Sequence, residues 1–128
     1  MIKRFLFSFI SVFCLSIAQI NLLSAEEATV DVVFETTMGT FTLELNPEKA
    51  PKTVENFLSY IDEGFFDKTI FHRIIPGFVI QGGGFETGMQ KKKTHPAIVN
   101  ESANGLKNAR GSISMARTND PDSATSQF

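Results

Sequence analysis

A mainly β domain capped by helix is the fold class this sequence predicts, and three observations predict it. Two runs rich in β-branched and aromatic residues, Val30–Thr36 and Thr40–Leu45, flank the tight turn Thr37-Met38-Gly39. One apolar stripe, Val54, Phe57, Leu58 and Ile61, repeats at helical spacing behind Pro51. Further short apolar runs are cut by Gly and Pro. Open sheets of such strands leave unpaired edges, so a closed barrel is expected. The 128 residues allow one domain, and 42% hydrophobic with 20% charged residues excludes wholesale disorder. Thirteen Phe against one Tyr and no Trp predicts a core or pocket lined by Phe.

The N-terminus reads as a separate unit. Lys3 and Arg4 precede the uncharged run Phe5–Ile20, and small residues at Ser16-Ile17-Ala18 and Leu23-Ser24-Ala25 precede Glu26-Glu27. A basic start, apolar middle and small-residue exit define a secretory signal peptide. The predicted division is a signal peptide at 1–25 and a domain at 26–128. Cleavage after Ala18 satisfies both small-residue positions, and cleavage after Ala25 only the nearer one. An uncleaved membrane anchor is the alternative, since Phe5–Leu23 is about long enough to cross a bilayer. After cleavage no stable membrane insertion is expected. The lone Cys14 leaves with the segment, which suits an oxidising, periplasmic location. The formal net charge of −2 argues against a nucleic-acid partner, and Lys91–Lys93 reads as a solvated loop.

The remaining elements follow in order. In Thr40–Leu45, Phe41, Leu43 and Leu45 alternate with Thr40, Thr42 and Glu44, which makes a hairpin with one buried face. The helix starts at Pro51, ends at Gly64, and leaves Lys52, Glu55, Ser59 and Asp62 to water. Thr69–Ile75 is a third strand, Pro76-Gly77 a turn and Phe78–Gln81 a fourth strand, ended by Gly82-Gly83-Gly84. Glu86–Arg110 reads mostly as loop, long enough to suggest a functional one. Gly111–Ala116 is a fifth strand, Thr118–Thr125 a loop, and Ser126–Phe128 the start of another strand. Alternation along 69–75 puts Arg73 on one side with Phe71 and Ile75. A cation there either faces a lined groove or snorkels over apolar neighbours.

Common catalytic signatures are absent. His72 and His95 have no cysteine partner and no helical pairing, so no metal site is expected. Gly82–Gly84 lacks the Lys-Ser/Thr of a phosphate loop, and no serine sits in a G-x-S-x-G turn. No cofactor is expected. Asn100-Glu101-Ser102 is a glycosylation sequon by pattern alone.

One stretch is specific. Phe71-His72-Arg73-Ile74-Ile75-Pro76-Gly77-Phe78-Val79-Ile80-Gln81-Gly82-Gly83-Gly84 resembles the central signature of the cyclophilin-type peptidyl-prolyl cis–trans isomerases. Ala50–Phe57 resembles the first helix of that family, and Gly111–Arg117 with Ser126-Gln127-Phe128 resembles its second signature. The likeness runs from about Thr29 to Phe128, with features closer to exported bacterial members. It implies a cyclophilin-like closed β-barrel capped by helices. It also implies a monomeric isomerase (rotamase) that turns X–Pro bonds in proline-containing peptides and unfolded exported proteins. The alternative is a chaperone that binds proline peptides without turnover. By resemblance Arg73, Phe78 and Gln81 are catalytic, and Val79, Ala116, Arg117 and Gln127 bind substrate. Arg117 stands where eukaryotic members commonly have Asn, so its backbone contact is what carries over. Phe128 matches the first of two adjacent aromatics, and the second would floor the proline pocket. The resemblance therefore implies a member truncated at its C-terminus, incomplete as a barrel and weak or inactive as 128 residues.

The chemistry suits these residue types. Rotation about X–Pro faces about 18–20 kcal/mol of amide resonance and takes tens to hundreds of seconds uncatalysed. No covalent bond breaks, so the catalyst must only bind the twisted amide better than either planar form. The twisted prolyl nitrogen regains a lone pair, to which a permanently charged guanidinium such as that of Arg73 can donate. Phe78 and Val79 offer apolar grip for the ring, and Gln81 an amide to hold Arg73 or a substrate carbonyl. Reaching milliseconds from tens of seconds takes about 5–6 kcal/mol.

Overall fold

The computed structural model describes residues 28–128. The predicted signal segment at 1–25 lies outside the described residues. In chain order the elements are β1 (Val30–Thr36), β2 (Gly39–Leu45), α1 (Pro51–Asp62), β3 (Arg73–Ile75), β4 (Val79–Gln81), β5 (Phe85–Glu86) and β6 (Gln90–Lys91). Each strand pairs antiparallel with its sequence neighbour, which gives three two-stranded sheets. The expectation of a mainly β fold with a helix is met. The closed barrel is not: among the described residues no third strand joins the outer edge of any hairpin. A barrel needs an unbroken ring of ladders. Beyond the three hairpins, single bridges join Thr69 to Glu86 on β5 and Ile98 to Ala124 between loops.

The first hairpin follows from its alternation. Register runs from Val30 opposite Leu45 to Thr36 opposite Gly39. Val32, Phe34, Leu43 and Leu45 turn inward, while Asp31, Glu35, Thr42 and Glu44 stay exposed. At the turn Gly39 takes φ +125, open to glycine alone without strain. The Thr36 hydroxyl donates to the Gly39 carbonyl at 2.7 Å and accepts from the Met38 N–H at 3.1 Å.

Helix α1 begins at Pro51, and Ala50 before it provides no side-chain cap. The cap comes from far along the chain. The Glu101 carboxylate accepts from the backbone N–H groups of Lys52 at 3.0 Å and Thr53 at 2.8 Å. Gly64 ends the helix at φ +65, as its position predicts. Val54, Phe57 and Tyr60 face inward, and Asn56 donates to the Thr125 carbonyl at 2.7 Å.

The core is aromatic, as the Phe count predicts. The rings of Phe34, Phe57, Phe66 and Phe128 are all mutual neighbours, with centroid separations from 5.1 to 6.1 Å. Such pairs contribute about 0.5–1.5 kcal/mol each beyond burial. Leu45 and Val54 pack beside them. Tyr60 is fully buried, stacks on His95 at 4.3 Å, and accepts the His95 N–H at 2.9 Å. Burial pushes its phenol above its ordinary value.

Several predicted boundaries shift. The third strand is confined to Arg73–Ile75, and Phe78 lies in the turn rather than in the fourth strand. Gly111–Ala116 forms no ladder: Ile113 and Met115 pack on the core, the Ser112 N–H turns back to the Ala109 carbonyl at 3.2 Å, and the Ala116 N–H donates to the Gln127 carbonyl at 2.8 Å. The expected loop at 86–110 contains β6, closed against β5 through Gly88 at φ +82 and Met89 at φ +60. Lys91 and Lys93 are exposed as expected. Lys92 is not: its ammonium lies 4.7 Å from the Phe65 ring centroid and 3.5 Å from Glu86. Among the described residues no helix is long and apolar enough to cross a membrane.

The remote cap gives a pH-dependent prediction. Burial works to raise the Glu101 carboxyl, but the Lys52 and Thr53 N–H groups, the Thr53 hydroxyl and the Lys52 charge together hold it below its ordinary 4.5. A carboxylate lowered in the fold stabilises it above 4.5, and that contribution disappears as pH falls through the lowered value. Glu101→Ala is expected to cost about 1 kcal/mol at neutral pH. In urea unfolding series the difference from the parent should shrink as the pH drops below 4.5.

Candidate functional site

The site is built on the second hairpin. Pro76 and Gly77, the latter at φ +75, occupy the centre of the turn between β3 and β4, and the Phe78 N–H donates to the Ile75 carbonyl at 3.1 Å. Proline followed by a positive-φ glycine is the requirement of a type II turn. The register sets Arg73 opposite Gln81 and Ile75 opposite Val79. These four therefore share one face, and the Ile74–Ile80 pair takes the other.

Across that face Arg73 Nη1 donates to Gln81 Oε1 at 3.0 Å. Gln81 Nε2 in turn donates to Gln127 Oε1 at 2.9 Å. The Arg73 Cζ lies 5.9 Å from the centroid of the Phe78 ring, within reach of a cation–π attraction. Among the described residues no carboxylate pairs with Arg73. Its charge is held by a neutral amide and is left uncompensated at the surface. One of five guanidinium N–H groups is used by Gln81. Others remain for a ligand.

Phe78 stands apart from the other phenylalanines. Among the described residues it is the largely exposed one, at 76%, and it has no ring neighbour. Its ring is held in water beside the Arg73 guanidinium and takes no part in the core.

Gln127 reaches the site through backbone contact. Gly82 N–H donates to the Phe128 carbonyl at 3.0 Å, and Phe128 N–H to the Gly82 carbonyl at 3.3 Å. The Ala116 bond to the Gln127 carbonyl closes the other side of this segment. The structure thus brings together Arg73, Phe78, Gln81 and Gln127, with Val79 half-buried on the same strand face and Ala116 behind. It does not bring in the Arg117 side chain. That guanidinium bonds its neighbour's carbonyl, Thr118 O, at 2.8 Å and lines a separate hollow with Ile98 and Met115. The expected alternation from Phe71 also fails, since Phe71 precedes β3 and joins Phe41 and Phe128.

Sequence reasoning missed Gly82–Gly84. They appear there only as a strand breaker, yet they are where the 126–128 segment docks. A Cβ on Gly83 would lie 2.7 Å from the Ser126 carbonyl, and one on Gly82 2.9 Å from the Phe71 ring. Three consecutive glycines were the available signal. His72 is half-buried, with its ring 4.5 Å from Phe85, and takes no part in the relay.

The second hairpin thus exposes a guanidinium tethered to Gln81 beside the free ring of Phe78. The model of the cyclophilin type peptidyl-prolyl cis-trans isomerase/CLD family matches residues 30–128, and the chain belongs to that family. It is 48% identical to peptidyl-prolyl cis-trans isomerase A of Dickeya dadantii over all 128 residues, which is 66% of that protein. It is 57% identical to peptidyl-prolyl cis-trans isomerase B of Escherichia coli over 97 residues, or 76% of this chain and 59% of that one. The isomerase of Acinetobacter baylyi is 54% identical over 101 residues, which is 79% of this chain and 54% of its own. The chain therefore spans between 54% and 66% of the length of these relatives.

Exposure separates site from core in a stability measurement. Phe78→Ala should leave the unfolding free energy within about 0.5 kcal/mol of the parent, as a surface change does. Phe57→Ala, inside the aromatic cluster, should cost about 3–5 kcal/mol. Paired denaturant melts of the two variants check the contrast.

Proposed function

We propose that the face formed by Arg73, Phe78, Gln81 and Gln127 is the working groove of a peptidyl-prolyl cis–trans isomerase that accelerates X–Pro rotation in exported proteins as they fold. The observation that carries this is the Arg73–Gln81 bond: it fixes a guanidinium through a neutral acceptor and leaves its other N–H groups free. Relatives named as peptidyl-prolyl isomerases support the same activity. The proline ring would rest against Phe78 and Val79, while Arg73 donates to the prolyl nitrogen as that nitrogen turns pyramidal. A donor already in place needs no reorganisation when the amide twists. The apolar side of β3–β4, with Ile74 64% and Ile80 58% exposed, supports a complete family fold in which this hairpin joins a closed barrel.

The place of work is proposed to be the periplasm. Residues 1–25 have the charge and hydropathy layout of a signal peptide. The alignment to the Dickeya dadantii relative spans the whole chain, this segment included.

Arg73→Ala in the full-length protein should lower kcat/KM for a proline tetrapeptide about a hundredfold, the scale of losing one preorganised donor. Arg73→Lys should restore little, because an ammonium cannot reproduce the planar fork. A rate within twofold of the parent for Arg73→Ala would contradict the assignment. Peptide binding with isomerisation at background in the parent itself would make the protein a holding chaperone instead. Separately, N-terminal sequencing of protein from an envelope extract should find a chain starting just after Ala18 or Ala25. An intact Met1 in the membrane fraction would establish an anchor.

A further inference from the structure

We infer that Gly84 is a positioning residue for Arg73. It acts by leaving room for the Gln127 side chain that completes the relay. The inference rests on the isomerase assignment above and adds a residue that touches neither substrate nor Arg73. The Gln127 side chain lies directly over Gly84: a Cβ there would sit 2.5 Å from Gln127 Cγ, 2.8 Å from Cδ and 2.9 Å from Nε2. Every one of those atoms belongs to the side chain whose Oε1 accepts from Gln81. Gly84 itself is buried and has no positive φ, so its backbone conformation is open to alanine. What a methyl group there displaces is the Gln127 amide, not the main chain.

The two preceding glycines differ in this respect. Gly83 has φ +78, and a Cβ on it would meet the Ser126 carbonyl and the Phe128 ring, each at 2.7 Å. Substitution there forces the backbone and core apart. Gly82 would meet the Phe71 ring at 2.9 Å, a partner in the aromatic packing. Only at Gly84 do all of the nearest atoms belong to the polar relay. When Gln127 moves, Gln81 Nε2 loses its acceptor and the amide is free to rotate. Arg73 then loses the fixed orientation of the acceptor that holds it. The guanidinium keeps its charge and loses its aim.

The test is a double-mutant cycle on the full-length protein, read by kcat and KM for a proline tetrapeptide and by the side-chain amide NMR signals of Gln81 and Gln127. Gly84→Ala should lower kcat about tenfold, the scale of a small misplacement of a reacting group. It should also shift the Gln81 amide signals, and thermal unfolding should remain cooperative. Placed in a Gln127→Ala background, which lacks the clashing atoms, Gly84→Ala should change kcat less than twofold. Equal losses in both backgrounds would show that Gly84 acts through the backbone and overturn the inference. So would a kcat within twofold of the parent, or a change confined to KM. If Gly84→Ala alone does not fold, the double variant should fold; failure of both contradicts the side-chain clash. Arg73→Ala serves as the reference. A normal rate for Arg73→Ala sinks the isomerase mechanism, whereas a slow Arg73→Ala beside a normal Gly84→Ala sinks this inference alone.

Discussion

The structure depends on one close approach: the backbone of Ser126–Phe128 against Gly82–Gly84. Two main-chain hydrogen bonds between Gly82 and Phe128 hold it, and a Cβ on Gly83 would meet the Ser126 carbonyl and the Phe128 ring, each at 2.7 Å. A side chain at Gly83 would push apart segments more than forty residues distant in the chain. The glycines carry a conformational-entropy cost in the unfolded chain. That cost is offset by what the contact assembles.

Consecutive residues of the docking segment serve different halves of the protein. Phe128 enters the four-ring cluster with Phe34, Phe57 and Phe66, and so joins the first hairpin to the helix. Gln127 points to the other side and meets Gln81. The apolar half supplies stability through burial and ring packing. The polar half contributes little net stability, since an exchanged hydrogen bond is worth about 0.5–1.5 kcal/mol. Its value is orientation. The aromatic cluster thus fixes the segment whose polar neighbour steers Arg73, and core packing becomes part of site geometry. The helix is tied in from the same direction, by Asn56 to the Thr125 carbonyl and by Glu101 to its first turn.

Much of this was legible in the residues. The alternation of Phe41, Leu43 and Leu45, the stripe from Val54 to Ile61 and the Gly64 stop describe local rules that the fold obeys. The Pro76-Gly77 turn was equally plain, and it sets Arg73 opposite Gln81 without further instruction. Family signatures pointed to Arg73, Phe78, Gln81 and Gln127, and the structure places them in one cluster. What was not legible depends on distance along the chain. No local pattern says that Glu101 caps a helix beginning at Pro51, or that Lys92 alone of three lysines folds back over Phe65. Gly111–Ala116 has strand propensity but no ladder partner, so propensity misled there. Arg117 carries the right charge near the right motif, yet it bonds the carbonyl of Thr118.

In the proposed mechanism Arg73 stabilises the twisted amide rather than the bound peptide. Exchange NMR on a proline peptide with the full-length protein separates the two, because it reports cis–trans interconversion on the protein independently of affinity. The account predicts that Arg73→Ala slows the bound-state interconversion at least about tenfold while peptide Kd changes less than about threefold. A variant that binds the peptide much more weakly but interconverts it at the parental rate would contradict it.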